Sequence, residues 1–430
     1  MWLVLNEIVY SWTVGAVLNK QLGVGLSVIR GLQIGLFAFT FMVVSNADAS
    51  SGVIDSLNPN GLRLGGFNLF PILTGGYRMD DNIYASETAL VSDTTQVVRT
   101  GLGLISNWSR HSLYINGGGS VGRFAENRNE DYDDYNLALG GNIGILKGMN
   151  LSVNGGHNIL HEDRGSPDEA NGIRPTNYTL STASLNLSHA IGRLSATVGG
   201  TLHDFKYEDT PTTGTTVNNS DRARAQYIEM LKLAYELSPG YEVVLKTSLN
   251  QRNYNEAVDD NGEERNSTGQ EILGGVDLNF GDPFKAELLA GYATQDYLDA
   301  NLGDVSDISY GMRLTWMPTR LTTVRSNMVR SVEETTSQGS SSIFTSMFSL
   351  GVRHALMRSL SVGFDIGRGN LEYQGTTRID TNTTVATGII YKTNRYLHVV
   401  ADYNIKMRSS NITGMDYSRS QATISLGGHI

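Results

Sequence analysis

A strict two-residue alternation of apolar and polar side chains constrains this chain more than any other feature. It is clearest between Asp221 and Asn255, where each of two long runs places apolar residues on one side and polar residues on the other. The turn residues Pro239 and Gly240 separate the two runs. A period of two indicates β-strands, and Pro-Gly between two such runs indicates a hairpin. Each run is longer than about ten residues, which is unusual for a soluble strand but suits a strand that crosses a bilayer at a tilt.

This hairpin recurs along almost the whole chain, and the links between strands alternate in length. We count eighteen strand candidates between residues 66 and 430. Tight links such as Lys147-Gly148 alternate with long polar loops such as 161–177 and 208–220. Short turns at one end and long loops at the other are typical of outer-membrane barrels. The sequence therefore predicts an all-β fold over residues 64–430, a transmembrane antiparallel β-barrel of about 18 strands with short periplasmic turns and long extracellular loops. Both ends of the mature chain are then expected in the periplasm.

The composition agrees with a barrel and excludes several kinds of function. The chain has 48 glycines, 8 prolines, no cysteine and a formal net charge of -10. Mean hydropathy is -0.20, as expected where half of each strand is polar. The negative charge argues against a nucleic-acid partner, which would be held by neutralising phosphates. The absence of cysteine excludes disulfides, thiolate metal sites and cysteine nucleophiles, and it fits an oxidising compartment.

The first 49 residues form a different kind of sequence. Arg30 precedes an apolar run over Leu32–Val44, and Ala47-Asp48-Ala49 follows it. This order is typical of a secretory signal peptide, and it predicts cleavage after Ala49, with Ala47 and Ala49 forming the cleavage motif. The alternative is an uncleaved anchor, for which the apolar run is short. We therefore predict a long leader over residues 1–49 and a polar periplasmic lead-in over residues 50–63.

Four segments of the chain resemble a known family. The segments are SRHSLYINGGGSVGRFAENRNEDYDDYNLALGG, HEDRGSPDE, YELSPGYEV and LTTVRSNMVRSVEETT. They resemble the family catalogued as putative β-barrel porin 2, from about residue 63 to the C-terminus. The resemblance implies an outer-membrane barrel associated with exopolysaccharide synthesis and export. It also implies a polysaccharide cargo and periplasmic polysaccharide-export proteins as partners. Contact with outer-membrane lipids and lipopolysaccharide is expected from the barrel itself.

Motifs that could indicate an enzyme or a metal site do not fit this fold. Ser120 is the centre of a Gly-x-Ser-x-Gly string, but it lies in a predicted strand, whereas a nucleophile elbow needs a sharp strand-to-helix turn. His157 and His161 are about 13 Å apart along a strand. The acidic segment 259–264 has the wrong spacing for a calcium loop. We predict no catalytic residues, no metal and no cofactor, and so a protein that is not an enzyme.

The inward face of the barrel is where we expect the function to lie. The alternation places charged residues of both signs on that face, interleaved with Ser, Thr, Asn and Gly. Such a mixed wall suits neutral or weakly charged hydrophilic cargo better than single ions, which would favour a ring of one sign. The residues predicted to line a pore are Lys232, Glu236, Glu242, Lys246, Arg252, Lys285, Glu287, Arg313, Arg325, Arg353, Asp365, His398 and Asp402.

Aromatic residues gather near the predicted strand ends. Aromatic girdles mark the two membrane–water interfaces of outer-membrane barrels. The residues predicted to form these girdles are Trp108, Tyr207, Tyr235, Tyr241, Tyr254, Phe284, Tyr297, Trp316 and Tyr373.

Three functions remain open at this point. The first, implied by the resemblance, is export of an exopolysaccharide across the outer membrane. The second is a general or substrate-specific diffusion porin for small hydrophilic solutes, which trimer formation with a constricting loop folded into the lumen would favour. The third is a structural or adhesive surface protein, which a lumen blocked by side chains would favour.

Overall fold

A computed structural model describes residues 61–430, which consist almost entirely of β-strands. The predicted leader, with Ala47 and Ala49, and most of the predicted lead-in lie outside the described residues. The strands are β1 Leu62–Leu64, β2 Phe67–Asp80, β3 Asp93–Ser106, β4 His111–Phe124, β5 Tyr132–Leu146, β6 Met149–His161, β7 Asn177–Ile191, β8 Leu194–Tyr207, β9 Thr210–Thr212, β10 Thr215–Val217, β11 Arg224–Ser238, β12 Tyr241–Tyr254, β13 Ser267–Asn279, β14 Phe284–Tyr297, β15 Val305–Thr319, β16 Thr322–Glu333, β17 Ile343–Met357, β18 Leu360–Tyr373, β19 Ile379–Lys392, β20 Leu397–Ser410 and β21 Tyr417–His429.

Eighteen of these strands, β2–β8 and β11–β21, form one closed antiparallel barrel. The last strand closes on the first, with Ile72 opposite His429 and Asp80 opposite Gln421. Closure leaves no open sheet edge in the described barrel, so backbone groups in the hydrocarbon region find their partners within the protein. The predicted fold class and strand number are confirmed. The short strand β1 folds back on β2, and β9 and β10 form a small hairpin within a loop.

The two ends of the barrel differ as the sequence predicts. Links of two to four residues join β3 to β4, β5 to β6 and so on around one end, which we call the short-turn end. Loops of five to sixteen residues connect the strands at the other end, the long-loop end. Two single-turn 3-10 helices, Arg128–Glu130 and Ser220–Arg222, lie in these long loops. Within residues 61–430, no helix is long and apolar enough to cross a membrane.

The alternation along each strand separates an apolar outer face from a polar inner face. Leu231 and Leu245 point outwards and are 38% and 50% exposed, whereas Lys232 and Lys246 point inwards and are 3% and 6% exposed. The exposed apolar side chains are the surface that a bilayer would cover, because transferring them from water to hydrocarbon is favourable. A soluble protein could not sustain an apolar outer surface of this extent.

The residues predicted to form the aromatic girdles fall into two groups. Trp108, Tyr235 and Trp316 point outwards near the short turns and are 42–47% exposed. Tyr241 and Phe284 also have outward positions there and are half-buried.

The prediction is wrong for the four tyrosines at the long-loop end. Tyr207, Tyr254, Tyr297 and Tyr373 share the inner-face alternation of their strands, and their rings lie inside the barrel. Charged groups hold them there. Arg222 lies over the Tyr207 ring at 4.1 Å, and Arg378 lies over the Tyr373 ring at 4.1 Å.

Candidate functional site: the barrel lumen and its inner loop

The loop of residues 162–176, between β6 and β7, is the central feature of the lumen, and we call it the inner loop. It contacts inward-pointing side chains of β20 and β21. Four strands, β2 to β5, lie between β21 and β6 in the barrel. It also reaches the 334–342 loop between β16 and β17. The inner loop therefore crosses the interior instead of extending outwards as a simple surface loop.

Three basic residues of the far wall hold the inner loop in place. Lys406 Nζ donates to Asp163 Oδ2 at 2.8 Å, and Arg419 lies 3.5 Å from the other oxygen of Asp163. Arg408 donates to the Gly165 carbonyl at 3.0 Å. Burial on its own would raise the pKa of the Asp163 carboxyl, but the charges of Lys406 and Arg419 outweigh burial and hold this pKa well below its usual range. Asp163 is thus a charged anchor at any pH that the outer membrane normally meets.

Buried ion pairs attach the same loop to two neighbouring long loops, 125–131 and 208–223. Arg164 binds Glu130 through two hydrogen bonds of 2.6 and 2.9 Å, and it binds Glu169 within the loop at 2.6 Å. Arg222 binds Glu162 through hydrogen bonds of 2.6 and 3.1 Å. These forked Arg–carboxylate contacts fix direction as well as distance.

The 334–342 loop packs against the inner loop and against the loop of residues 255–266. Thr335 donates to Asp168 of the inner loop at 2.6 Å. Arg265 donates to the carbonyls of Thr335 and Ser340 at 2.6 and 2.9 Å. Several long loops are thereby joined into one body inside the long-loop end.

Glu334 ties the start of that loop to the wall strands. Its carboxylate accepts hydrogen bonds from the hydroxyls of Tyr254, at 2.5 Å, and Tyr297, at 3.3 Å, and it is paired with Arg252. Two of the four inward tyrosines are therefore partners of one loop carboxylate, which explains why they lie inside the barrel and not at a membrane interface.

The acidic segment 259–264 has a structural role in this loop assembly. The Asp259 carboxylate accepts hydrogen bonds from the backbone N–H groups of Asn261 and Glu263, at 2.8 and 3.0 Å, and from Arg265 at 2.6 Å. Within residues 61–430, no group of three or more His, Asp or Glu side chains is arranged to hold a metal ion. Ser120 lies within β4, where a nucleophile elbow cannot form.

All of the residues predicted to line a pore have inner-face positions in their strands. One group is nearly inaccessible, because its members pack against other inward side chains: Lys232, Lys246, Arg252, Glu287 and His398. The second group is partly or fully accessible: Glu236, Glu242, Lys285, Arg313, Arg325, Arg353, Asp365 and Asp402. That these residues line a conducting path stays a prediction.

Cross-strand ion pairs explain why the wall charges are nearly balanced. Lys232 donates to Glu287 at 2.7 Å, and both side chains are buried. Arg353 lies 2.7 Å from Asp365, and both remain partly exposed to the interior. The sequence predicted the mixture of signs, but it did not predict the inner loop. The charged HEDRGSPDE segment was the available signal, and its partners Lys406 and Arg419 lie more than two hundred residues further along the chain.

A closed eighteen-stranded barrel with a polar interior and an apolar outer face defines an integral outer-membrane β-barrel of the porin class. The chain belongs to the putative β-barrel porin 2 family, whose profile matches residues 55–428. No curated protein sequence matches it.

Solved structures with a similar chain course include outer-membrane proteins of two bacteria. Pseudomonas aeruginosa OccK2 (OpdF) in complex with glucuronate has a TM-score of 0.46 and 8% sequence identity, covering 86% of this chain and 100% of that chain. Acinetobacter baumannii OccAB4 has a TM-score of 0.44 and 13% identity, covering 87% of this chain and 100% of that chain.

Proposed function

We propose that this protein is a non-enzymatic outer-membrane channel that admits small hydrophilic solutes and that the inner loop sets its width. The long loops face the cell exterior and the short turns face the periplasm, so that both mature ends are periplasmic. The observation that carries this proposal is the passage of residues 162–176 across the lumen to Lys406 and Arg419.

Because the barrel is wide, the inner loop determines how much of the lumen remains open. A barrel of about eighteen strands leaves an aqueous channel unless something folds into it. Here the inner loop and the 334–342 loop occupy the long-loop end, held by ion pairs whose side chains are almost completely buried. Breaking such a pair leaves an uncompensated buried charge, which is strongly unfavourable.

A path narrowed in this way suits a small solute better than a bulky polymer chain. Export of an exopolysaccharide stays a prediction from the family resemblance. It would require the inner loop to leave its anchors, and the periplasmic export proteins named by that prediction would be the partners that make it do so.

Conductance in planar lipid bilayers tests the role of the inner loop. We expect the unmodified protein to form small, steady channels. Asp163→Asn removes the charge that holds the loop to the far wall, so its channels should be severalfold larger or should fluctuate between two levels. Lys206→Met is a control of charge removal, because Lys206 is an exposed residue paired with Asp204 at 3.4 Å. Absence of conductance in both the unmodified protein and Asp163→Asn would contradict a channel and favour a structural surface protein.

Deletion of the gene separates uptake from export. We expect slower uptake of small solutes with normal surface polysaccharide. Loss of surface polysaccharide, with polymer retained in the periplasm and solute uptake unchanged, would overturn the proposal in favour of export.

A further inference from the structure

A cavity lies on the inner wall of the barrel, beneath the start of the 334–342 loop. Side chains of β8, β11, β12, β13, β14 and β16 line it, among them His203, Arg224, Asn250, Glu271 and Glu333. None of these belongs to the inner loop or to its far-wall anchors. The cavity is therefore a separate feature of the lumen.

Five side chains of this wall carry a buried polar atom that has no hydrogen-bond partner among residues 61–430. These atoms are His203 Nδ1, Asn250 Oδ1, Thr294 Oγ1 and the Nε atoms of Arg224 and Arg252. His203 and Arg252 are 9% and 5% exposed. Buried donors and acceptors without partners cost free energy. Several of them around one cavity therefore indicate a site where a polar ligand forms the missing hydrogen bonds.

The two guanidinium groups are held firmly although their Nε atoms lack partners in the described part of the chain. Arg252 is paired with Glu334 and donates to the Val332 carbonyl at 2.9 Å. Arg224 donates to the Arg222 carbonyl at 3.0 Å and lies over the Phe205 ring at 4.5 Å. The arginines thus form a fixed frame. The Asn250 amide and the His203 ring are the adaptable members, because a half-turn of either exchanges its donor and acceptor atoms.

The side chains that line the cavity indicate the chemical class of its ligand. Positive and negative side chains are both present, and their charges are largely matched, as in the pairing of Arg252 with Glu334. Donors and acceptors alternate around the cavity, and Ile228 and Ala293 add apolar surface. A hydroxyl group both donates and accepts, so a compound with several hydroxyls and a C–H face matches this wall without adding a net charge.

The cavity has a volume of about 70 Å³ and is open to the lumen, so it accommodates part of a solute. We propose that this cavity is a binding subsite for one hydroxylated portion of a neutral polyhydroxylated solute. This binding proposal depends on the proposed channel function in one respect only, which is the route by which the solute reaches the cavity. Asn250 and His203 recognise the hydroxyl groups, and Arg224 and Arg252 fix the orientation of the wall.

Calorimetric titration of the purified protein in detergent with D-glucose, D-galactose and D-mannose tests this subsite. We expect saturable binding of at least one of the three sugars. Asn250→Leu and His203→Phe should each weaken that binding roughly tenfold, the effect of losing one well-placed hydrogen bond. Because each substitution removes a buried polar atom whose hydrogen bond is unmade, the barrel should remain folded.

The matched control is Asn404→Leu. Asn404 is a buried, inward asparagine whose Oδ1 also lacks a partner within residues 61–430, but it lies on β20, away from the cavity. Its substitution should leave sugar binding unchanged. Absence of saturable binding to all three sugars, or equal weakening by Asn404→Leu, would overturn the subsite and leave a cavity that holds only water.

The outcome for the subsite is independent of the outcome for the channel. Binding is measured without transport, so a protein that binds glucose but conducts nothing would retain the subsite and lose the channel. A protein that conducts but binds none of the sugars would retain the channel and lose the subsite.

Discussion

The interior of the barrel holds its charges in two different ways at its two ends. Near the long loops, Glu162 and Arg222 form a pair whose side chains are only 2% and 6% exposed. Near the short turns, Arg353 and Asp365 form a pair of similar length whose side chains are 28% and 22% exposed. A pair of the first kind fixes the position of a loop because neither charge can be left alone in a dry environment. A pair of the second kind remains in contact with water, so it can respond to ions and solutes in the lumen.

Arg222→Met should give the largest effect on stability. It leaves the Glu162 carboxylate buried without its partner, and it removes the cation over the Tyr207 ring. The cost of breaking such a buried pair is about 3–5 kcal/mol. The measurement is urea-induced unfolding of the purified barrel in detergent, or the temperature at which it loses its compact form on a gel.

The double substitution Glu162→Gln with Arg222→Met is the control for that prediction. It removes both charges, so it should recover a large part of the lost stability. If the single and double variants unfold alike, the ion pair does not hold the inner loop, and the contrast between the two ends of the barrel disappears.

Gly165→Ala should have a smaller effect that is confined to the inner loop. Gly165 has a φ of +80°, and an added Cβ would lie 3.0 Å from atoms of Ala85 and Tyr417. An L-residue in this conformation costs about 1–2 kcal/mol, and the contacts add to that cost. We expect the loop to loosen and the conductance of single channels in planar bilayers to become noisier.

Gly214→Ala is the control for Gly165→Ala, because it introduces backbone strain at a residue outside the inner loop. Gly214 also has a positive φ, of +95°, but apart from Gly214 and its two chain neighbours no atom of the described residues lies within 4 Å of the added Cβ. Its substitution should lower stability and leave the channel unchanged. Equal noise in the two variants would show that Gly165 does not control the lumen.

The sequence predicts the barrel well because the rule that builds it is local. Alternation along a strand decides which side chains meet lipid, and the same rule correctly assigns Arg353 and Asp365 to the inner face. The same rule places Tyr254 on the inner face, because Tyr254 shares its side of β12 with Lys246 and Arg252. The girdle prediction is wrong for that residue because it gives position at a strand end more weight than alternation.

The inner loop could not be predicted from the same rule. A loop has no period, and the anchors of Asp163 lie on strands at the other end of the chain. Such contacts depend on closure of the barrel, which brings β21 beside β2 and the far wall within reach of the loop. The sequence therefore shows which charges point inwards, whereas only the closed fold shows which of them a loop neutralises.

Arg353→Leu should have the smallest effect on stability and a clear effect on ion selectivity. The Arg353–Asp365 pair is partly exposed, so its loss should change the free energy of unfolding by no more than about 1 kcal/mol. It removes a positive charge from the lumen wall and leaves the Asp365 carboxylate, so the channel should favour cations more strongly. The reversal potential in planar bilayers under a potassium chloride gradient measures this shift.

Arg368→Leu is the matched control, because Arg368 is an exposed arginine on the outer face of the same strand as Asp365. A shift of equal size in both variants would place the effect at the membrane surface and would contradict a solute-accessible wall near the short turns.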